Sequence, residues 1–324
     1  MEQPSWYWIS RCIVKECDLE LINEAVLEYI SQYMDPADIR RREPMSLHTT
    51  FRVGGEAELF LQIRNKEQLE KLIPYFKMID LPYFVIGNGS NLLVGDKGYQ
   101  GVILHLGEGM DQIQAEGNRL TVQAGCLMSQ IARAAYEHSL TGFEFASGIP
   151  GSIGGGVVMN AGAYDGELKQ VVTRVWVLNE EGEILVLDNS DMEFGYRTSV
   201  IKKRPFVVVQ VEIELKPGSR EEIAAKMAEL NQRRRDKQPL QYPSAGSTFK
   251  RPEGYFAGKL IMDAGLRGYS IGGACVSEKH CGFVINRNHA SAADIAEVIC
   301  EVQERVKEKF GVTLETEVIF LGDF

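Results

Sequence analysis

The chain has few of the residues that build metal and redox sites. Its 324 residues include five histidines and six cysteines. The histidines show no metal-ligand spacing, and no two cysteines have the CxxC spacing of zinc or dithiol sites. We therefore expect no bound metal. We expect the cysteines to be free thiols of a reducing compartment, which favours a cytoplasmic location.

Long apolar runs and an excess of positive charge are also missing. No apolar run reaches the roughly 18 residues that span a bilayer, and the formal net charge is −10. These features argue against a membrane or a nucleic acid as the main partner. An anionic ligand would therefore have to meet a local cluster of positive side chains. The length of the chain allows two or three domains.

Glycine, by contrast, is abundant between Gly148 and Gly162, where the sequence is GIPGSIGGGVVMNAG. Such density exposes backbone N–H groups that can donate hydrogen bonds to a phosphate. The spacing is neither that of the Walker loop nor that of the dinucleotide-binding βαβ fingerprint. The segment therefore indicates either a phosphate-bearing ligand held by another architecture or a glycine-rich surface turn.

A second glycine loop, Gly87–Asn91 with the sequence GNGSN, follows the apolar run Phe84–Ile86. Asn-Gly tolerates positive φ, so the pattern predicts a strand, a tight turn with converging N–H groups, and a second strand. A plain hairpin turn is the alternative, although the loop is longer than a two-residue hairpin needs. Two such loops would suit the two phosphates of a dinucleotide.

Periodicity divides the rest of the chain into three regions. A β-α-β order up to the Gly87 loop argues for an α/β or α+β first region. Strand signals dominate from Val102 to Leu215, and Phe206–Leu215 is predicted as one long strand. The pair Pro217-Gly218 breaks the pattern and is the best candidate for a domain boundary.

The C-terminal region has clear helix signals. Ser291 is expected to cap a long helix, and Gly311 suits the position just after its end. A final strand is predicted over Thr316–Leu321. We find no internal repeat and no low-complexity tract.

Three polar segments carry side chains that could do chemistry. Arg197 follows a tyrosine, Ser247 stands in a loop of small residues, and Glu317 lies in the predicted last strand. An arginine fork suits a carboxylate or phosphate, a serine hydroxyl can donate a proton, and a carboxyl in an apolar strand can act as an acid. Each also has an ordinary alternative: a surface arginine packed on tyrosine, a serine turn, and an outward-facing strand residue.

Six ordered motifs together resemble the UDP-N-acetylenolpyruvoylglucosamine reductase family, over nearly everything from about His48 to Gly322. The short linker from Arg197 to Pro205 leaves no room for the extra tyrosine-bearing loop of one subgroup, so the chain looks like the shorter, type II form. The motifs are HTTFRVGG from His48, the loop from Gly87 to Val94, Gly148–Tyr164, YRTS from Tyr196, GSTFK from Gly246 and LETEV from Leu314.

This resemblance implies an α+β fold. A two-subdomain FAD-binding unit of the vanillyl-alcohol-oxidase (PCMH) type would be followed by a C-terminal α+β substrate-binding domain. Residues 1–18 would be an extension without an assigned role, 19–105 and 106–217 the two FAD-binding subdomains, and 218–324 the substrate-binding domain. The last strand, 316–324, would return toward the flavin.

The resemblance also implies non-covalently bound FAD, with NADPH as co-substrate. The positions that match the family's FAD-binding residues are Thr50, Arg52, Gly87, Asn88, Gly89, Ser90, Asn91, Leu92, Ser147, Ile149, Pro150, Gly151, Gly154, Gly155, Asn160, Gly162, Ala163 and Tyr164.

The implied reaction is the NADPH-dependent reduction of UDP-N-acetylglucosamine enolpyruvate to UDP-N-acetylmuramate, in peptidoglycan precursor synthesis. Arg197 and Glu317 match the residues that stabilise negative charge on the substrate carboxylate, a task for which Glu317 must be protonated. Ser247 matches the residue that delivers a proton to C2. The substrate-binding candidates are Tyr196, Tyr242, Lys250, Arg251 and Lys259.

Two positions depart from the family pattern, because many relatives have Asn where Arg251 stands and some have Arg where Ile319 stands. The expected partner is a UDP-sugar, without nucleic acid or membrane, and we expect a monomer or a weak oligomer. Two other functions stay open. One is another FAD-linked oxidoreductase of the same fold acting on a hydroxy acid or alcohol, and the other is a non-catalytic flavin- or nucleotide-sugar-binding module.

Overall fold

A computed structural model of the chain describes residues 21–324. The expected extension over residues 1–18, with Cys12 and Cys17, lies outside the described residues. The helices of the described part are α1 (Glu24–Ser31), α2 (Lys66–Met78), α3 (Met128–Glu137), α4 (Ile153–Val158), α5 (Arg220–Lys237), α6 (Ala257–Asp263) and α7 (Ala292–Phe310).

The strands are short, and many belong to small sheets. They are β1 (Ile39–Pro44), β2 (Glu56–Ile63), β3 (Tyr83–Ile86), β4 (Leu92–Val94), β5 (Tyr99–Leu106), β6 (Ile113–Glu116), β7 (Arg119–Gln123), β8 (Leu140–Thr141), β9 (Gly162–Ala163), β10 (Gly166–Glu167), β11 (Val172–Leu178), β12 (Ile184–Asp188), β13 (Val207–Glu214), β14 (Lys216–Pro217), β15 (Ser270–Ile271), β16 (Ala274–Val276), β17 (Val284–Asn286) and β18 (Ile319–Leu321).

The first sheet has the strand order β1-β2-β5-β3. β1 pairs antiparallel with β2, whereas β2 and β3 both run parallel to β5. Helix α2 begins after Asn65, whose side chain accepts a hydrogen bond from the backbone N–H of Gln68 at 3.0 Å. Leu69, Leu72 and Ile73 are fully buried against the sheet. This region thus has the predicted β-α-β order.

The second sheet has the order β12-β11-β13-β7-β6, with antiparallel pairing throughout. The predicted long strand over Phe206–Leu215 is confirmed as β13. Helix α4 lies close to this sheet: a Cβ added at Gly154 would lie 3.0 Å from the Cβ of Ala124. Part of the Gly148 segment therefore serves close packing of a helix and not access of a ligand.

The third sheet, β15-β16-β17, packs against α7 around a separate apolar core. The Ser291 hydroxyl accepts from the N–H of Asp294 at 3.0 Å, and the Asp294 carboxylate accepts from the N–H of Ser291 at 3.0 Å. This capping box begins the helix, and Gly311 ends it with φ +69°. The predicted C-terminal helix is confirmed at both ends.

Helix α5, which opens the predicted third region, packs against α3 and the 3₁₀ turn Glu144–Ala146 of the second region. The domain boundary at Pro217-Gly218 stays a prediction. Strand β18 begins at Ile319 and not at the predicted Thr316, because the residues before it bond to the 248–250 segment instead. No helix of residues 21–324 is both long enough and apolar enough to cross a bilayer.

The first and third regions are joined by several contacts between distant parts of the chain. Strand β18 pairs in parallel with β4. The carboxylate of Asp96 accepts from the N–H groups of Ala292 and Ala293, at 2.8 and 2.9 Å. The Asn286 amide donates to the carbonyl oxygen of Phe51 at 3.1 Å. These bonds hold the C-terminal core next to the loop that follows β4.

Candidate active site

A cleft of about 920 Å³ lies where the three regions meet, near the upper end of the usual range for ligand sites. Its wall contains the arginines Arg52, Arg197, Arg234 and Arg235 and one carboxylate, Glu317. A chain with a net charge of −10 therefore gathers positive charge at one place. This is the local cluster that an anionic ligand requires.

The Gly87 loop forms part of one wall and is not a hairpin. β3 before it pairs with β5, and β4 after it pairs with β18. A Cβ added at Gly87 would lie 2.0 Å from Oγ of Ser152, and one at Gly89 would lie 1.8 Å from the carbonyl oxygen of His48. At Gly89 the close atom is a backbone oxygen, so only glycine permits that approach. The contact between Gly87 and Ser152 places the Gly87 loop beside the Gly148 segment.

Two side chains at the cleft present buried polar atoms that have no hydrogen-bond partner within residues 21–324. They are Oγ1 of Thr50 and both Nε and Nη1 of Arg234. Burial lowers the pKa of the Arg234 guanidinium. A Cβ added at Gly148 would lie 2.8 Å from Nη1 of Arg234, so this guanidinium lies against the Gly148 segment. Unpaired buried donors are costly unless a ligand accepts from them, and the cleft therefore fits a phosphate-bearing cofactor such as FAD.

Arg197 and Glu317 form an ion pair in the wall of the cleft. Nε of Arg197 donates to Oε1 of Glu317 at 2.7 Å, and their side chains are only 21% and 11% exposed. Burial raises the pKa of the Glu317 carboxyl above its ordinary value, although the charge of Arg197 acts in the opposite direction. Glu317 thus points inward, and the outward-facing alternative is wrong.

A tight turn presents Arg197 to the cleft. The N–H of Gly195 donates to the carbonyl oxygen of Thr198 at 3.1 Å and closes the turn. Arg197 itself has φ +55°, a backbone conformation that residues other than glycine rarely adopt. Its Nη2 donates to the carbonyl oxygen of Gly162 at 3.4 Å. The glycine segment therefore helps to aim the guanidinium.

Backbone bonds place Ser247 next to Glu317. The N–H of Glu317 donates to the carbonyl oxygen of Thr248 at 2.8 Å. On its other side, Nδ2 of Asn91 donates to the carbonyl oxygen of Glu317 at 2.9 Å. Ser247 lines the cleft and remains exposed. A hydroxyl, a guanidinium and a carboxyl from three distant segments thus share one wall.

Most of the residues expected at a cofactor or substrate site line this cleft. Those that do are Thr50, Arg52, Gly87, Asn88, Ser90, Asn91, Ile149, Pro150, Gly162, Ala163, Arg197, Tyr242, Ser247 and Glu317. The remaining expected residues do not form its wall: Gly89, Leu92, Ser147, Gly151, Gly154, Gly155, Asn160, Tyr164, Tyr196, Lys250, Arg251 and Lys259.

Some of these outlying side chains are engaged elsewhere. Asn160 is 1% exposed; its amide donates to Glu167 and to the carbonyl oxygen of Gly195, at 3.0 and 3.1 Å. Lys259 forms an ion pair with Asp263 at 2.7 Å on the same helix. Asn160 therefore supports the turn before Arg197, and the ammonium of Lys259 is paired outside the cleft.

Sequence reasoning missed Arg234, because the basic run of residues 233–237 looks like a solvated helix end. Within α5, however, Ile223, Met227, Leu230 and Arg234 recur at helical spacing. Ile223 and Leu230 are buried, which makes Arg234 the next residue on the buried face. Continuing the periodicity into the charged run would have identified it.

Two histidines of the cleft were also unassigned. Nε2 of His48 lies 2.8 Å from Oε1 of Glu43, and the His48 ring stacks on Phe60. Burial lowers the pKa of His105 to about 4, so this imidazole is neutral at pH 7; its Nδ1 lies 2.6 Å from Oε1 of Gln62. Both rings are thus held in place by protein groups.

Both the cofactor-binding part and the C-terminal part of the chain match known protein families. Residues 57–188 match the FAD binding domain family, and residues 238–321 match the C-terminal domain of UDP-N-acetylenolpyruvoylglucosamine reductase. Reductases of this name from Caldanaerobacter subterraneus and Clostridium perfringens are 49% and 50% identical to the chain. These matches cover 93% and 90% of this chain and 99% and 96% of the relatives. The crystal structure of the reductase from Thermus caldophilus has a TM-score of 0.75 at 34% identity, covering 86% of this chain and 97% of that one.

The fold and the cleft define an FAD-dependent oxidoreductase, with a cofactor-binding unit of the vanillyl-alcohol-oxidase type and a further C-terminal α+β domain. At this identity and coverage, the chain belongs to the UDP-N-acetylenolpyruvoylglucosamine reductase family. The family and the fold class implied by the six motifs are therefore confirmed.

Proposed function

We propose that the cleft performs the family's reaction with Arg197, Ser247 and Glu317 as its reacting groups. The reaction is the NADPH-dependent reduction of UDP-N-acetylenolpyruvoylglucosamine in peptidoglycan precursor synthesis, with FAD as the enzyme's cofactor. One observation carries the assignment of residues: these three side chains, from segments far apart in sequence, line one wall of the cleft. Another oxidoreductase or a binding module would not require that assembly.

The cleft offers two groups of contacts to the cofactor. The Gly87 loop and the Gly148 segment supply backbone N–H groups for its phosphates, and Thr50 and Arg234 supply buried polar atoms without internal partners. When bound, FAD would supply the chemistry that carries a hydride from NADPH to the vinyl carbon of the substrate. We propose that FAD is bound without a covalent link to the protein, and that His48 stays paired with Glu43.

Arg197 and Glu317 would stabilise the charge that grows on the substrate carboxylate. The guanidinium is a permanent cation with planar donors that suit a carboxylate. Glu317 helps an anion only when it carries its proton, and the burial that raises its pKa favours that form. Both groups are fixed by protein contacts before substrate enters, which is the preorganisation that makes electrostatic stabilisation effective.

Ser247 would deliver the proton to C2. Its hydroxyl is exposed to the cleft, one residue before the carbonyl of Thr248 that holds the N–H of Glu317. An unperturbed serine is a weak acid, so the proton moves only when the substrate carbanion is basic enough to take it. Because Ser247 lines the same cleft as Arg197 and Glu317, proton delivery would take place where negative charge develops on the substrate.

The nucleotide end of the substrate would lie toward the C-terminal domain. Tyr242 lines the cleft, while Lys250 and Arg251 lie just beyond Ser247. The Tyr196 hydroxyl accepts from the N–H of Arg251 at 3.0 Å, which brings this basic pair next to the Arg197 turn. Cations at these positions suit the diphosphate of a UDP-sugar. Lys250 and Lys259 have less support than Arg251, because the ammonium of Lys250 lies 2.8 Å from Glu315 and that of Lys259 lies 2.7 Å from Asp263.

The decisive experiment uses purified protein and follows NADPH oxidation with and without UDP-N-acetylenolpyruvoylglucosamine. We expect a flavin absorption spectrum and NADPH consumption that depends on this substrate. Turnover of a hydroxy acid or alcohol in its absence would favour a different oxidoreductase. Bound flavin without any NADPH oxidation would favour a binding module.

Ser247→Ala tests the assigned proton donor. Flavin reduction by NADPH should remain within about twofold of wild type. Reoxidation by substrate should fall by about 10²-fold or more, the usual contribution of a general acid. Ser270→Ala, at an exposed strand residue, is the matched control. Equal survival of both half-reactions in Ser247→Ala would remove the serine from the mechanism.

Cytoplasmic location and the state of assembly are separate proposals. We propose that the enzyme works in the cytoplasm, where NADPH is supplied and where the free thiols Cys126, Cys275, Cys281 and Cys300 stay reduced. We also propose that it acts as a monomer or weak oligomer. Sedimentation of the holoenzyme at micromolar concentration would measure the second point.

A further inference from the structure

We infer that Lys202 is a positioning residue, whose ammonium holds the backbone of the turn that presents Arg197. The inference rests on the proposed role of Arg197 and extends it to a side chain that contacts the protein rather than the cofactor or substrate. It concerns a residue to which the sequence motifs assign no role.

The turn that carries Arg197 is the first observation. Arg197 is the third of the four residues Gly195–Thr198 and has φ +55°. Turns that need positive φ at the third position normally place glycine or asparagine there. An arginine in this conformation persists only when its surroundings impose it, and such strain concentrates at functional sites. Something must therefore hold this peptide in place.

The Lys202 ammonium holds the peptide that follows Arg197. Nζ of Lys202 donates to the carbonyl oxygen of Arg197 at 2.9 Å. Within residues 21–324, no backbone N–H donates to that carbonyl. A charged donor makes a stronger hydrogen bond than a neutral one. The ammonium thus fixes the peptide plane that follows the strained residue.

Lys202 can act this way because its own backbone is anchored. It ends the 3₁₀ turn Val200–Lys202, in which Val200 and Ile201 are buried. Just before this turn, Ser199 is fully buried and its hydroxyl donates to the carbonyl oxygen of Val158 at 2.9 Å. The lysine therefore reaches back to Arg197 from a segment attached to the core of the cofactor-binding unit.

Charge links the same ammonium to the reacting carboxyl. Lys202 is an exposed residue, but partial burial of its ammonium lowers its pKa, and the neighbouring charge of Lys250 acts in the same direction. Burial raises the pKa of Glu317, whereas the charge and hydrogen bond of Arg197 and the charges of Lys202 and Lys250 lower it. Loss of the lysine charge would therefore let the pKa of Glu317 rise further.

The next residue offers a matched control. Lys203 has the same charge and lies one position later, but its ammonium pairs with the exposed Glu193. In the part of the chain that the structure describes, the Lys203 ammonium has no hydrogen bond or ion pair with the Arg197 turn. A general effect of removing positive charge from this segment would appear in both lysines, whereas the positioning effect would appear only in Lys202.

The test compares Lys202→Met, Lys202→Arg and Lys203→Met as FAD-loaded holoenzymes. Single-turnover absorbance would follow flavin reduction by NADPH and then reoxidation by UDP-N-acetylenolpyruvoylglucosamine. For Lys202→Met we expect reoxidation to slow about tenfold, the effect of one lost hydrogen bond on a transition state, with flavin reduction within about twofold. We expect Lys202→Arg to recover most of the loss and Lys203→Met to match wild type.

Steady-state kinetics also distinguish a positioning residue from a residue that contacts the substrate. For Lys202→Met we expect kcat to fall with little change in KM, and the limb of the kcat profile assigned to Glu317 to move to higher pH. A raised KM with unchanged kcat would make Lys202 a substrate contact and overturn the inference. Equal losses in Lys203→Met, or wild-type reoxidation in Lys202→Met, would also overturn it.

Two further variants keep the result interpretable. If Lys202→Met does not retain FAD, Lys202→Gln, which keeps one neutral donor, should show the same selective loss of reoxidation at smaller size; an equal loss in both half-reactions would refute the inference. Arg197→Lys tests the foundation. If it reoxidises at the wild-type rate, the proposed function of Arg197 fails. If it is inactive while Lys202→Met is normal, only the positioning role fails.

Discussion

Nδ2 of Asn91 donates to the backbone carbonyl oxygen of Glu317 at 2.9 Å. This bond joins the end of the Gly87 loop to the segment that carries the buried carboxyl. We propose that the same loop binds the cofactor, so one short segment would contact both the cofactor and the residues just before β18 that include Glu317. A second bond, from the N–H of Ile319 to the carbonyl oxygen of Asn91 at 3.0 Å, repeats the connection.

We expect Asn91→Ala to impair the substrate half-reaction more than flavin binding. Because the substitution removes the amide, the backbone carbonyl of Glu317 loses its hydrogen-bond donor, and the Glu317 carboxyl is held less firmly. Reoxidation of reduced enzyme by substrate should slow by about tenfold, measured by stopped-flow absorbance. Asn118→Ala, at an exposed amide that contacts Glu214, is the control. A loss of flavin with unchanged reoxidation in the remaining holoenzyme would assign Asn91 to the cofactor alone.

We expect Glu317→Gln to become more stable relative to wild type as pH rises, and to lose activity. Because burial raises the pKa of this carboxyl, its favourable contribution to folding is present at low pH and is lost as pH rises above the ordinary value of about 4.3 and through the raised one. The variant has no such loss. We expect the melting temperature of Glu317→Gln minus that of wild type to increase between pH 5 and pH 8, while substrate turnover falls at least tenfold.

The substitution also removes the ion pair with Arg197, which lowers the stability of the variant at every pH between 5 and 8. The pH trend of the difference therefore reports the carboxyl itself. Thermal unfolding in a series of buffers at one ionic strength would measure it. A difference that shrinks toward pH 8 would mean that the ion pair outweighs burial and that Glu317 is ordinarily ionised.

Arg234→Met should weaken FAD binding and stabilise the protein without FAD. The guanidinium has two buried nitrogens without partners among the described residues, a cost that methionine removes. We expect a rise in the melting temperature of the apoprotein, and FAD affinity lower by about 10- to 100-fold, the range for a lost charged hydrogen bond. Titration of apoprotein with FAD would measure affinity.

The control for this prediction is Lys237→Met, at an exposed lysine of the same helix end that does not line the cleft. It should leave FAD affinity within about twofold. Loss of affinity in both variants would point to the total positive charge of the helix end, and unchanged affinity in Arg234→Met would show that the cofactor does not use this side chain.

Asp96→Asn should lower the stability of the holoenzyme by about 1 kcal/mol, the usual size of a capping contribution with its charge at a helix N-terminus. The carboxylate accepts from Ala292 and Ala293 at the start of α7 and joins two regions of the chain. Urea unfolding followed by far-UV circular dichroism would measure the change. Glu116→Gln, at an exposed strand residue, should have no measurable effect; an equal effect would attribute the loss to net charge.

Local sequence patterns were sufficient to predict several structural features of this molecule. Ser291 and Gly311 predicted both ends of the last helix, because caps act through hydrogen bonds and backbone angles of a few neighbouring residues. The Gly87 loop and the Gly148 segment predicted a phosphate-binding surface for the same reason. Motif order then indicated the family and its cofactor, which the comparisons confirmed.

Other features depend on contacts between distant segments. The sequence left Glu317 as an inward or outward strand residue, and the tertiary structure turned it inward against Arg197. The charged run at the end of α5 gave no sign that Arg234 is buried, and nothing near Asp96 in the chain indicates its bonds to the start of α7.

The sequence by itself therefore determined the elements, the glycine loops, the family and the cofactor class, all of which follow from short-range geometry and from recurring motifs. The tertiary structure alone decided which side chains meet at the cleft and which charges are buried. The physical reason is that burial and hydrogen-bond partners are properties of packing. The pKa of Glu317 and the unpaired nitrogens of Arg234 arise only when segments far apart in sequence exclude water from the same place.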